Sequence, residues 1–248
     1  MRPNRTLARA RTPEGVEMLL HERDGVYTLR VDGYELMSSR AHGSEDALAR
    51  IPCESIAGRT APRVLVAGLG FGFTLRAALD HLPAGARVTV CEVLPALVEW
   101  NRTLVGELAG QPLEDPRVRI VTADIGSFLA PRPDWDAILL DVDNGPEAFT
   151  LRSNGRLYGD RGVALLRDGL KPGGVLAVWS AHPSAPFERR LHRAGLASRT
   201  VKVAARGSGK GPLHYLFVAR RKGKKGAPGY PPSAARGGRG KKAEVRRT

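Results

Sequence analysis

From Arg63 onward the chain alternates short apolar runs with segments whose apolar residues recur every three or four positions. "RVLVAGLG" (63–70) is predicted as a buried strand, and "FTLRAALDHL" (73–82) as a helix stopped by Pro83. "RVTVCEVLP" (87–95) is the next strand, followed by the helical "ALVEWNRTLVGEL" (96–108). "VRIVTADI" (118–125) and "DAILLDVD" (136–143) read as a third and fourth strand. The helical "GDRGVALLRDGL" (159–170) leads through "KPGG" into the strand "VLAVWS" (175–180). A helix, "FERRLHRAGL" (187–196), precedes a final strand, "HYLFVAR" (214–220). Near-continuous apolar strands separated by helices imply a parallel sheet covered on both faces, an α/β fold of Rossmann-like type.

Before Arg63 the period drops to two. "GVEMLLHER" (15–23) and "GVYTLRVDG" (25–33) alternate on either side of Asp24-Gly25, a hairpin signal, and "YELMSS" (34–39) follows a second turn at Asp32-Gly33. "GSEDALARIPCESIAG" (43–58) then reads as a helix with Ser44 as N-cap, acids in its first turn, and Pro52 bending or ending it. The expected organisation is an N-terminal β module with a linking helix (1–58), a nucleotide-binding domain with a final antiparallel strand (59–220), and a tail (221–248). No internal repeat is visible.

Composition changes this picture only at the C-terminus. Of the net charge of +14, residues 220–248 supply +10, with eleven Lys or Arg and a single acid, Glu244. That Gly/Pro-rich segment cannot bury enough apolar surface to fold, and it suits weak, salt-dependent polyanion binding or plain solubilisation. No stretch approaches the roughly 18 apolar residues that cross a bilayer. The basic start, "MRPNRTLARARTPEG", lacks the apolar core of a secretory signal. Cys53 and Cys91 are far apart, without CxxC spacing; they fit a reducing cytoplasm and are expected to pack in the interior, as are Trp100 and Trp135. The six histidines show no metal-ligand spacing, so no metal site is expected, and no G-x-S-x-G elbow supports a hydrolase.

The candidate chemistry lies at successive strand ends. Gly68-Leu69-Gly70-Phe71-Gly72 is a glycine turn between strand and helix, where Gly68, Gly70 and Gly72 would let the backbone approach a ligand. Glu92, twenty residues after Gly72, can accept both hydroxyls of a ribose. Asp124, with Ile125 beside it, can accept from an adenine amino group. The turn is one glycine spacing short of a dinucleotide fingerprint, and a single adenosine with a sulfur-bearing tail fits it better.

With the fourth strand added, the chain resembles the spermidine synthase family of aminopropyltransferases, which share the adenosylmethionine-dependent methyltransferase fold. "DAILLDVDNGPEAF" is similar to that family's D-x-[ST]-D-P-x-G-P stretch, two residues shorter. "RLYGDRGVALLRDGLKPGGVLAVWS" and "RVDGYELMSSRAHGSEDALAR" resemble two further family segments, so the likeness runs from about Gly25 to Arg220. It implies decarboxylated S-adenosylmethionine, or S-adenosylmethionine, as co-substrate, a small amine as acceptor, and a homodimer. It places Asp141 at the family's first catalytic aspartate and Asp143, or Asn144, at the second. Tyr158 aligns with a family tyrosine that would line the acceptor pocket or simply pack.

The departures cluster on the acceptor side. Phe71 stands where the family's G-G-G-D-G turn has its aspartate, Leu36 where its hairpin has glutamine, and Trp179 at another glutamine position. Of the family's Y-H-E triplet, aligned on Ser44-Glu45-Asp46, only the last acid is kept, as Asp46. Phe71 suggests an acceptor smaller or less cationic than a diamine. Two other activities fit the same residues: a methyltransferase using S-adenosylmethionine, and a non-catalytic nucleotide- or nucleic-acid-binding protein.

Overall fold

The apolar runs beyond Arg63 assemble into a seven-stranded sheet in the order β10-β11-β9-β8-β5-β6-β7. The computed structural model describes residues 4–129, 134–142, 145–146, 155–206, 209 and 211–223. Strands β5 (Arg63–Ala67), β6 (Arg87–Glu92), β7 (Val118–Thr122), β8 (Trp135–Leu140) and β9 (Leu170–Ser180) are mutually parallel. β11 (Leu213–Arg221) pairs antiparallel with β9 and with β10 (Leu196–Ala204). The expected antiparallel last strand is therefore present, with β10 added as an edge strand outside it.

Successive residues of the central strands face opposite layers. Val64, Val66, Val88, Val90, Ala137 and Leu139 pack on one face against helices α1 (Gly43–Ile56) and α2 (Phe73–Asp80). Leu65, Ala67, Cys91, Ile138 and Leu140 pack on the other. There they meet α6 (Asp160–Gly169) and α7 (Ala185–Arg193), with the short α5 (Gly155–Tyr158) leading into α6. Both cysteines are buried and free, and burial pushes both thiols up to about 12.

The N-terminal module is a four-stranded antiparallel sheet, β1 (Arg5–Arg11), β2 (Glu17–Arg23), β3 (Val26–Val31) and β4 (Tyr34–Ser38). Its first strand lies in the basic start, for which no element was expected. Met18, Leu20, Leu29 and Val31 from this sheet join Leu94, Leu97, Trp100 and Val105 in a third core cluster around Phe71. Phe71, 3% exposed, thus fastens the module to the glycine turn.

Three local expectations are corrected. Ser44 is not the N-cap of α1: His42 holds that position without a side-chain cap, and Ser44 lies inside the first turn. Pro52 does not end the helix, which continues to Ile56. Arg221 is not tail but strand: its guanidinium donates to the carbonyls of Arg167, Asp168 and Leu170 at the end of α6, while Arg220 donates to Gly173 O. Cations at a helix C-terminus satisfy its open carbonyls. The rest of the tail, from residue 224, lies outside the described residues.

Candidate active site

β5 has β6 on one side and β8 on the other, so the strand order reverses there and a crevice opens at the carboxyl ends of the strands. The glycine turn follows β5 and Asp141 follows β8, and the two flank that crevice. They approach so closely that a Cβ on Gly68 would lie 2.0 Å from the Asp141 carbonyl oxygen; with φ of +89°, only glycine suits the position. The Asp141 amide donates to Ala67 O at 2.8 Å and locks the two strand ends together.

The crevice is an open cavity with ≈ 1180 Å³ of free space, part of it continuous with solvent. Gly68, Gly70, Glu92, Asp124, Ile125 and Asp141 all line it. Gly72 does not. It caps α2 with φ of +87°, and its Cα faces Pro112, Asn101 and Ala109, so this glycine serves the packing of the turn from behind. Asp143 and Asn144 lie outside the described residues.

Glu92, 4% exposed, ends β6 with both carboxylate oxygens in use: Oε2 accepts from Leu69 N and Oε1 from Leu94 N, each at 2.8 Å. It therefore shapes the turn as well as facing the cavity. Burial pushes its carboxyl up, against the lowering effect of those amides; the charge of Asp141 raises it further. Asp124 is the N-cap of α4 (Ile125–Phe128), where Oδ1 accepts from Ser127 N at 2.9 Å. This acid is thus a helix cap that also stands on the cavity wall.

Asp141 accepts from Thr74 Oγ1 at 2.6 Å, and burial pushes it up to about 6. Glu45, in the first turn of α1, lines the same cavity and is pushed up to about 8 by burial and then by the charge of Asp141. Sequence reasoning missed Glu45 and kept Asp46, which instead faces outward and pairs with His42 at 3.0 Å. Thr74 and Asn101 were missed too; Asn101 Nδ2 donates to Gly70 O and Leu97 O and ties the turn to α3 (Pro95–Thr103). The usable signal was position: Thr74 opens the helix after the turn, and Glu45 opens the helix after β4.

The opposite wall is apolar. Leu36 and Met37 from β4 meet Phe71 and Phe73 from the turn, and Phe73 stacks on His42 with centroids 4.3 Å apart. Trp179 lines the cavity near the end of β9, and its indole Nε1 is buried without a hydrogen-bond partner among the described residues. Tyr158 lies away from this wall, buried edge-on to Phe187. Trp100 and Trp135 are buried as well.

No family model matches the chain. The chain is 33% identical over 124 residues to a polyamine aminopropyltransferase of Mycobacterium tuberculosis, covering 48% of this chain and 23% of that protein. It is 32% identical over 148 residues to the polyamine aminopropyltransferase of a Synechococcus species, covering 59% of this chain and 45% of the relative. The chain thus spans less than half the length of these curated relatives. Among solved structures, the spermidine synthase of Thermotoga maritima superposes with a TM-score of 0.69 at 19% identity, over 89% of this chain and 74% of the other. A spermidine synthase in complex with the transition-state analogue AdoDATO gives the same TM-score, over 73% of that chain. The fold, β module included, is spermidine-synthase-like. No helix among the described residues is long and apolar enough to cross a membrane.

Proposed function

We propose that the chain is a spermidine synthase-like transferase that moves an aminopropyl group from decarboxylated S-adenosylmethionine to an amine. One observation carries most weight. In a chain of net charge +14, the described lining of the cavity holds four carboxylates, Glu45, Glu92, Asp124 and Asp141, and no Lys or Arg. Such a surface suits a ligand that brings its own positive charge, as a sulfonium donor and an ammonium acceptor both do.

On this reading the ribose hydroxyls donate to Glu92, and adenine lies over Ile125 with its amino group toward Asp124. The sulfonium is held at the switch point, between the glycine turn and Asp141. The acceptor arrives as an ammonium, because an ordinary primary amine has a pKa near 10. Asp141, poised by Thr74, takes one proton from it. The freed nitrogen lone pair attacks the aminopropyl carbon bonded to sulfur. As the C–N bond forms, the C–S bond breaks and its electron pair stays on sulfur, giving neutral methylthioadenosine. The new secondary ammonium carries the charge away, so the leaving group needs no acid.

The test is one incubation series with decarboxylated and ordinary S-adenosylmethionine and a panel of amines, followed by mass spectrometry. The expected result is a gain of one aminopropyl group on an amine, with methylthioadenosine released. A methyl gain with adenosylhomocysteine would assign the fold to methyl transfer instead. Failure to bind methylthioadenosine and to use either donor would remove the enzymatic reading altogether.

A further inference from the structure

The turn Gly68–Gly72 brings no acid to the cavity, but α1 does. Because α1 starts directly after β4, its first turn carries Glu45 onto the wall shared with Asp141. The carboxylate is oriented from behind: Ser44 Oγ donates to Glu45 Oε2 at 2.5 Å, and the same hydroxyl meets His214 Nδ1 of β11 at 2.9 Å. Among the described residues, Glu92 lines the same cavity, Asp46 and His42 lie beside Glu45 in and just before the first turn of α1, and His214 faces it from β11 through Ser44. Among the described lining residues none is cationic.

Glu45 and Asp141 have no counter-ion among the described residues; two neighbouring carboxylates so placed hold back each other's ionisation, and a cation between them reverses the effect. Leu36, Met37 and Phe71 line the same cavity and offer an apolar surface on which a hydrocarbon stem can lie. We propose that Glu45 and Asp141 together clasp the ammonium of the acceptor, and that this acceptor is an aliphatic monoamine whose stem lies along Leu36, Met37 and Phe71. The inference rests on the transfer reading above and names the acceptor class and the residue that replaces a turn acid. Asp141 takes the proton, while Glu45 binds and positions the nitrogen. Binding at neutral pH draws Glu45 into its ionised form, so a proton leaves the protein as the amine enters.

The experiment is calorimetric titration of the full chain, saturated with methylthioadenosine, with pentylamine and with cadaverine, in two buffers of different ionisation enthalpy. Glu45→Gln should weaken pentylamine binding by about 10- to 100-fold, the range for a hydrogen-bonded charge, and should abolish the proton release. Glu45→Asp should recover part of both. Asp46→Asn should change neither, and methylthioadenosine affinity should be unaltered throughout. Cadaverine should bind more weakly than pentylamine, since its second ammonium meets the apolar wall.

Wild-type pentylamine affinity in Glu45→Gln would overturn the inference and leave the donor site standing. Tighter binding of cadaverine would overturn the monoamine assignment. Equal weakening of decarboxylated S-adenosylmethionine and of pentylamine by Glu45→Gln would assign the carboxylate to the donor's ammonium instead. A wild-type protein that binds no methylthioadenosine would sink the transfer reading itself, and this inference with it.

Discussion

A carboxylate stands near each end of strand β8, and the two have opposite surroundings. Asp136, 2% exposed at the amino edge of the sheet, is ringed by cations: Arg59 and Lys171 reach its oxygens, and Arg63 N donates at 2.7 Å. Burial pushes against its ionisation, but those partners outweigh it and hold the carboxyl below its usual range. Asp141, just past the carboxyl edge, receives one hydroxyl and no cation among the described residues, and sits well above its usual range. Among the described residues one acid has its counter-ions and the other has none. Side chains kept short of partners at a cavity are where function is first sought.

The sharpest break in this contrast is Asp141→Asn. Turnover should fall by about 10²- to 10⁴-fold, the range for a lost proton acceptor, while methylthioadenosine binding stays near wild type. Stability should move the other way. A carboxyl raised by folding contributes most below its unfolded pKa, and that contribution is lost as pH rises through about 6. Asparagine removes the loss, so the variant should melt at or above the wild-type temperature at pH 8. Activity and stability falling together would mean that Asp141 is structural.

Asp136→Asn is the mirror experiment, with a smaller effect. It should cost about 2 kcal/mol at pH 7, discounted from a fully buried pair because Arg59 and Lys171 stay a third exposed. Its lowered carboxyl contributes above the unfolded value and loses that contribution in acid, so the variant should also flatten the acid limb of the stability curve. Turnover per folded molecule should be unchanged. Asp124→Asn comes next: the amide keeps an oxygen for the Ser127 cap but turns a donor toward the adenine amino group. Donor affinity should drop by about tenfold, with little change in kcat. Smallest of all is truncation after Gly223, which keeps Arg220 and Arg221 in place. Donor affinity should match the full chain, and any salt-sensitive retention on RNA or DNA should vanish; equal retention would move that property to the folded part.

What was legible in the chain follows from the same division. The parallel strands announce themselves because they are buried on both faces, and the glycine-turn side of the cavity is built largely from backbone amides, glycine and strand-end acids whose places follow from strand order. β1 and β10 were missed because edge strands need not be apolar: "RTLARAR" and "LASRTVKVA" spend half their positions on polar residues. The rest of the lining is written in single side chains brought in from elsewhere. An acid in the first turn of a helix is ordinarily explained by the helix dipole, so nothing local distinguishes Glu45 from Asp46. Only the packing of α1 against the large sheet turns one inward and the other out. Phe71 is similar: a substitution that suggests ligand specificity also proves to be the anchor of the β module.

The direction of β11 has a consequence for the whole molecule. It pairs Tyr215 with Ser180 but Arg220 with Val175, five steps of about 3.3 Å back along β9. The polypeptide therefore departs from the rim opposite the cavity mouth, roughly 17 Å away by that spacing. Arg221, the last residue of that strand, thus stands at the end of the sheet away from the opening.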